Sequence, residues 1–288
     1  MHAEHRRRHA SGDLVLALLT RAGAALTLAG LMGVIWPVLH EGLPRLSWAF
    51  LQTDPLNAGR AGGIAPMLVS TGALLAVALL ATGPLGLAVA LWLSEYTGQQ
   101  GRRAAVAGLS LDALAGVPSI VFGLFGSAFF CDALGLGYSL LAGGLTLACM
   151  ILPVLIRTAH SSLQALPTDW RLGGAALGMS RWRLAWHVLL PHAMPGVAVG
   201  IMLGTGRALA ETAALIFTSG YVDRMPDSLM DSGRALSVHI YDLSMNVAGG
   251  DATASASAIV LMTWVLLVNA LTTALSQWWL RRAATGQP

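Results

Sequence analysis

Two opposite charges, Arg207 and Glu211, stand four residues apart in a stretch, 192–219, that is otherwise apolar or small. At helical spacing they lie on one side of a helix, within reach of each other. Arginine stays cationic at any ordinary pH and presents a fork of donors, which suits a carboxylate or a small oxyanion. At the centre of a lone membrane span an arginine costs about 2.5–3.5 kcal/mol on insertion scales, so both charges must face protein or a watery cavity. Two readings stand side by side: an ion pair that fixes one helix against another, or a cation in a solute path held by its carboxylate. Just upstream, Gly196, Gly200 and Gly204 recur every fourth residue and form a small-residue stripe that lets a neighbouring helix approach closely.

Other candidates are simpler. Ser119 and Gly123 have the same small-residue spacing and predict a helix contact. Asp112, a carboxylate near one end of an apolar run, reads as structural or as reaching for water. His187 and His192 are separated by a turn and a proline, without the spacing of a metal site, and no metal is assigned. Cys131 and Cys149 lack ligand spacing too and read as packing residues.

The elements that must hold these groups follow from composition. The chain has 288 residues, 55% of them hydrophobic and only 11% charged, with a mean hydropathy of +0.66; so few charges cannot cover a soluble globule of this size. The chain reads as an all-α integral membrane protein. Its runs predict six transmembrane helices, at about 14–39, 66–93, 104–130, 134–156, 192–219 and 252–280, each near the roughly 20 residues that cross the hydrocarbon. Trp36, Trp92, Trp278 and Trp279 fit interfacial belts. A kink is expected at Gly83-Pro84. Three parts result: 1–66, an N-terminal tail, first helix and external loop; 67–280, a core of five helices with a polar loop at 159–190; and 281–288, a tail.

There is no lysine, so arginine alone sets orientation. With six helices, Arg6, Arg7, Arg8, Arg21, Arg102, Arg103, Arg157, Arg171, Arg181, Arg183, Arg281 and Arg282 fall on one side, which places both termini and the 159–190 loop in the cytoplasm. The basic balance, +3 with pI near 9.3, is spread between apolar runs rather than along one face. It therefore reads as a topology signal toward membrane lipid, and no nucleic-acid partner is implied.

Within that loop, Pro167-Thr168-Asp169 offers an N-cap to a first short helix, Gly178 ends it, and Ser180 caps a second that runs to Leu190 before Pro191. Trp170, Trp182 and Trp186 could pad a docking surface. The spacing of Gly178, Val188, Leu190 and Pro191 resembles the cytoplasmic loop of binding-protein-dependent ABC importer permeases, which reads Glu-Ala-Ala, three residues, Gly, nine residues, an apolar residue, any residue, Leu-Pro. Leu172, Gly173 and Gly174 stand in place of Glu-Ala-Ala. Further strings resemble the permeases of phosphate importers, the PstA type in particular: 93–96 (LSEY), 115–126 (AGVPSIVFGLFG), 206–218 (GRALAETAALIFT) and 229–241 (LMDSGRALSVHIY).

That resemblance implies a type I ABC importer permease fold in a bacterial inner membrane. It implies a second, PstC-like permease, a PstB-like ATPase dimer on the coupling loop (Leu172, Gly173, Gly174, Gly178, Trp182, Val188, Leu190 and Pro191), and a PstS-like phosphate-binding protein outside. Arg207 and Glu211 would line the substrate path. No cofactor is expected on this chain: it has no glycine-rich loop followed by lysine, so ATP and Mg would sit on the ATPase partner. Related oxyanions such as phosphite would look alike to one arginine. A secondary transporter would share broken helices and midplane charges, though no inverted repeat is visible. An intramembrane enzyme would need a nucleophile and base within the helices, and the histidines lie mostly at ends and loops.

Overall fold

The computed structural model describes residues 2–97 and 102–285, with side chains from 16 to 97 and from 105 to 277. The side chains of the basic residues 5–9, the turn 98–101, the side chains of Arg102 and Arg103, and those of Trp278, Trp279, Arg281 and Arg282 lie outside that description.

Helix α1 (His2–Gly42) leads through a 3₁₀ turn into α2 (Trp48–Gln52) and a two-stranded hairpin, β1 (Pro55–Leu56) against β2 (Ala61–Gly62). Then come α3 (Ala65–Tyr96), α4 (Arg102–Ala115), α5 (Ser119–Gly126, prolonged by a wide π turn to Ala133) and α6 (Leu140–Gln164). The 165–189 region holds α7 (Thr168–Ala176) and α8 (Arg181–Leu184), which runs on through a second π turn into α9 (Leu190–Leu209). The chain ends with α10 (Ala213–Ile216), α11 (Leu236–Met245) and α12 (Asp251–Thr285). Among the described residues five helices are long and apolar enough to cross a membrane, or six spans when a bent pair is counted as one.

That bent pair is the predicted third span. α4 and α5 meet at 94° around 116–118, because Pro118 has no N–H to continue a helical ladder and its ψ of 141° turns the chain before α5 begins. The fourth span also lies later than expected, at 140–164 rather than 134–156. Ser139 caps it through its hydroxyl to Ala142 N–H, and the carbonyls of Asp231 and Leu229 accept from the N–H groups of Leu140 and Leu141, so the orphan donors of its first turn are met. Arg157 therefore sits two turns inside α6 rather than closing it. By contrast, α3 passes through Pro84 as one helix.

Three helices, α3, α6 and α9, form the centre, packed through two layers. One, with Leu74, Leu147, Ile151, Ala208 and Leu215, joins them to α5, α10 and α11. The other, with Ala90, Leu155, Leu163, Leu184, Leu189 and Val197, ties α8 into the same bundle. α1 lies against α12, with Gly42 close enough to the backbone of Ser255 that a Cβ would approach it to 2.7 Å. Leu26, Val34, Leu266 and Leu271 on these two helices stay exposed, as fits a surface solvated by lipid tails.

Candidate functional site

The glycine stripe does what its spacing predicts. A Cβ on Gly196 would collide with Ser162, on Gly200 with Thr158, and on Gly204 would touch Ile151 at 3.4 Å. All three partners lie on one face of α6, and Ser162 Oγ donates to Ala193 C=O at 3.0 Å across the same seam. Gly123 likewise meets Ala214 on α10, a Cβ there falling 2.7 Å from the Ala214 Cα, and Ser119 opens the same helix half-buried. Two further close approaches escaped the sequence reading. Gly143 and Gly144 of α6 admit Leu74 and Val77 of α3 at 2.8 and 2.6 Å from their Cβ positions; an adjacent glycine pair inside an apolar helix was the available signal.

Arg207 and Glu211 do not pair. α9 ends at Leu209, and Ala210 to Thr212 leave the helix, so the expected span 192–219 is broken and the i, i+4 register is lost. Glu211, 8% exposed, accepts instead from Ala214 N–H at 3.0 Å, satisfying an orphan donor of α10. Its backbone carbonyl accepts from Ser237 Oγ of α11, and Leu236 N–H donates to Thr71 Oγ1 of α3 at 2.8 Å. The break is thus clamped between three elements. Arg207 occupies the last turn of α9, half-buried, without a hydrogen bond or ion pair among the described residues. A cation at a helix C-terminus is favoured by the helix dipole, yet the fork itself is unspent.

At the other end of α9 the polar loop forms the two short helices expected, with a corner at Gly178, whose φ of +71° favours glycine. Ser180 Oγ accepts from Arg183 N–H. Pro191 was expected to end the second helix. Instead 181–209 is continuous: the wide π turn at 185–189 comes just before Pro191, and the helix runs on through it into α9. The loop is therefore rigidly joined to the helix that carries Arg207. Of the residues assigned to docking, Leu172 and Trp182 point outward at 64% and 60% exposure, alongside Leu177 and Trp186. Gly173 has open space around it, and Gly174 is buried against Leu184. Val188 and Leu190 face inward, packed on the second core layer. Trp170 also turns inward, its ring 4.5 Å edge-on from His192.

The strongest polar contact here was missed. Arg171 donates to Glu95 through Nη2 at 3.0 Å and Nε at 3.3 Å, and also reaches the carbonyls of Leu163 and Leu166 and Ser94 Oγ. Both side chains are largely buried, 20% and 7% exposed. The LSEY string ends α3 beside α7, but nothing local in the sequence says that its Glu meets Arg171, seventy-odd residues on. Asp112 pairs with Arg157, linking α4 to α6. The nitrogens of His187 and His192 nearest the backbone each face a carbonyl one turn back, Arg183 and Val188.

Residues 82–281 match the family described as the binding-protein-dependent transport system inner membrane component. The chain belongs to this family. Its relatives include the probable ABC transporter permease protein YqgI of Bacillus subtilis, 30% identical over 85% of this chain and 88% of that one. The phosphate transport system permease protein PstA homolog of Mycoplasma pneumoniae is 35% identical over 71% of this chain and 33% of its own length, and PstC of Mesorhizobium japonicum is 28% identical over 90% and 88%. The permease also shares its fold with a bacterial alginate ABC transporter chain (TM-score 0.64, 15% identity, covering 92% of this chain and 96% of that one) and with one from the MetNI methionine ABC transporter (TM-score 0.58, 16% identity, 75% and 96%). The expected type I ABC importer permease architecture is the one found, and the chain is a multi-pass transport subunit rather than an enzyme.

Proposed function

We propose that this permease is the PstA-type half of a phosphate importer in a bacterial inner membrane, with both termini cytoplasmic. It would share the translocation path with a PstC-like permease, stand on a PstB-like ATPase dimer that binds ATP and Mg, and receive phosphate from a PstS-like protein outside. The observation that carries the reading is Arg207: a guanidinium fork without a hydrogen bond or ion pair among the described residues, at the break between α9 and α10. Such a cation must face water, a partner or an anionic solute, since lipid would be costly, and phosphate offers the oxygens that a fork of donors fits. The relatives named as phosphate permeases support this choice of anion over others.

Transport follows from the chain's joints. The exposed apolar residues Leu172, Leu177, Trp182 and Trp186 form the surface on which an ATPase would seat. A push on α8 passes directly into α9, since the two are one helix, and α9 moves against α6 along the glycine seam. The far end of α9 carries Arg207 at the clamped break, so rocking of α9 would change which side of the membrane the fork faces.

The test is purification of the complex made with its neighbouring subunits, followed by binding-protein-dependent uptake of radiolabelled phosphate into vesicles. Uptake that needs ATP and is outcompeted by phosphate but not sulfate supports the assignment. Preference for phosphite would redirect the substrate, and uptake without any ATPase subunit would replace the reading with a secondary transporter.

A further inference from the structure

We propose that the Glu95–Arg171 ion pair is the second mechanical link between the ATPase-facing loop and the membrane helices, making Arg171 and Glu95 positioning residues for coupling. This rests on the transport reading above. The continuous helix 181–209 already joins α8 to α9, but α7 has no such covalent extension into α3. What it has is Arg171, whose guanidinium spans Glu95 and Ser94 on α3 and the carbonyls of Leu163 and Leu166 at the end of α6. Arg181 adds a donor to the Glu95 carbonyl at 3.3 Å.

One arginine thus binds the cytoplasmic ends of two core helices to the first helix of the loop. The linkage is directional. α7 itself is weak, nine residues with two glycines and no side-chain N-cap, so it cannot transmit force by its own stiffness. A largely buried ion pair with several hydrogen bonds is held in one geometry more firmly than an exposed pair. With the ion pair removed, α7 would keep no charged tie to α3, and motion of the loop would reach that helix only through the apolar packing shared with α8 and α9.

The experiment uses the whole transporter in vesicles and reads phosphate imported per ATP hydrolysed. Glu95→Gln is the mild variant, because the amide keeps an acceptor for Arg171 and leaves no buried carboxylate unpaired; Arg171→Gln and the double variant complete the cycle. Each single change is expected to lower the ratio roughly tenfold, within the range that coupling-network mutations produce, while the ATPase subunit still co-purifies. The double variant should fall no further than Arg171→Gln alone, since that change already removes the contact to Glu95. Ratios equal to the unmodified complex, additive losses in the double variant, or loss of the ATPase subunit from the Glu95→Gln complex would each overturn the proposal. An unmodified complex that fails to import phosphate at all would instead overturn the transport reading.

Discussion

Glu211 directs its carboxylate to the backbone N–H of Ala214 at 3.0 Å and not to Arg207. It acts as a cap for α10, meeting a donor that the break after α9 would otherwise leave unsatisfied. Capping needs an acceptor oxygen, not a charge. Glu211→Gln should therefore keep the thermal midpoint of the complex and most of its uptake, whereas Glu211→Ala should destabilise it by about 1 kcal/mol, within the usual range for a lost cap. A Gln variant that folds normally but cannot transport would show that the negative charge itself serves the path.

The seam between α9 and α6 grades its glycines. A methyl on Gly200 would drive into Thr158, whereas on Gly204 it would rest at an ordinary 3.4 Å from Ile151, and on Gly173 it would meet nothing. Gly200→Ala should cost about 1–3 kcal/mol, as overpacking does, and lower both the thermal midpoint and uptake. Gly204→Ala and Gly173→Ala should stay near the unmodified complex. Equal effects at Gly200 and Gly204, measured by thermal unfolding in detergent, would mean that the two helices do not meet along this stripe.

Much of this was legible beforehand, and the misses share a cause. Small-residue periodicity and hydropathy are local properties, so the stripe, the spans and the glycine corner at Gly178 followed from spacing. Helix breaks inside apolar runs did not, because Leu209 and Thr212 sit in equally apolar surroundings; what ends α9 is the tertiary clamp from Ser237 and the cap at Ala214. Pro118 is a visible signal, a proline inside the predicted third span. Pro191 was expected to stop a helix, and the π turn at 185–189 that lets the helix run on past it has no mark in the sequence. The pairings Glu95–Arg171 and Asp112–Arg157 join residues far apart in the chain, which no local pattern encodes.

His239 of α11 is fully buried against Gly59 and Leu243, and neither ring nitrogen has a partner among the described residues. Burial first, and then the Arg234 charge, push its pKa down from 6.5 to about 4, against the opposing pull of Asp242 and Asp223. The folded state holds it neutral while the unfolded chain takes up a proton. Its contribution is therefore intact above about pH 6.5 and is lost as the pH falls toward 4, a difference of roughly 3 kcal/mol when complete. Thermal midpoints of the complex taken from pH 7 to pH 4 should fall more steeply than those of His239→Leu. Parallel profiles would mean that the ring is paired or solvated in the assembled transporter.

Arg207 remains the residue on which the anion assignment depends. Its fork makes no hydrogen bond or ion pair among the described residues at the end of α9, so the complex should assemble and melt as before when it is replaced. If the fork meets phosphate in the path, Arg207→Ala forfeits charge-assisted hydrogen bonds worth about 1.5–3 kcal/mol, which is roughly a 10- to 150-fold loss of uptake. Arg207→Lys keeps the charge but not the planar fork, and should recover only part of that loss. Uptake in vesicles at a fixed phosphate concentration separates the three forms. A lysine variant equal to the alanine one would argue for geometry over charge, and normal uptake by both would remove Arg207 from the path altogether.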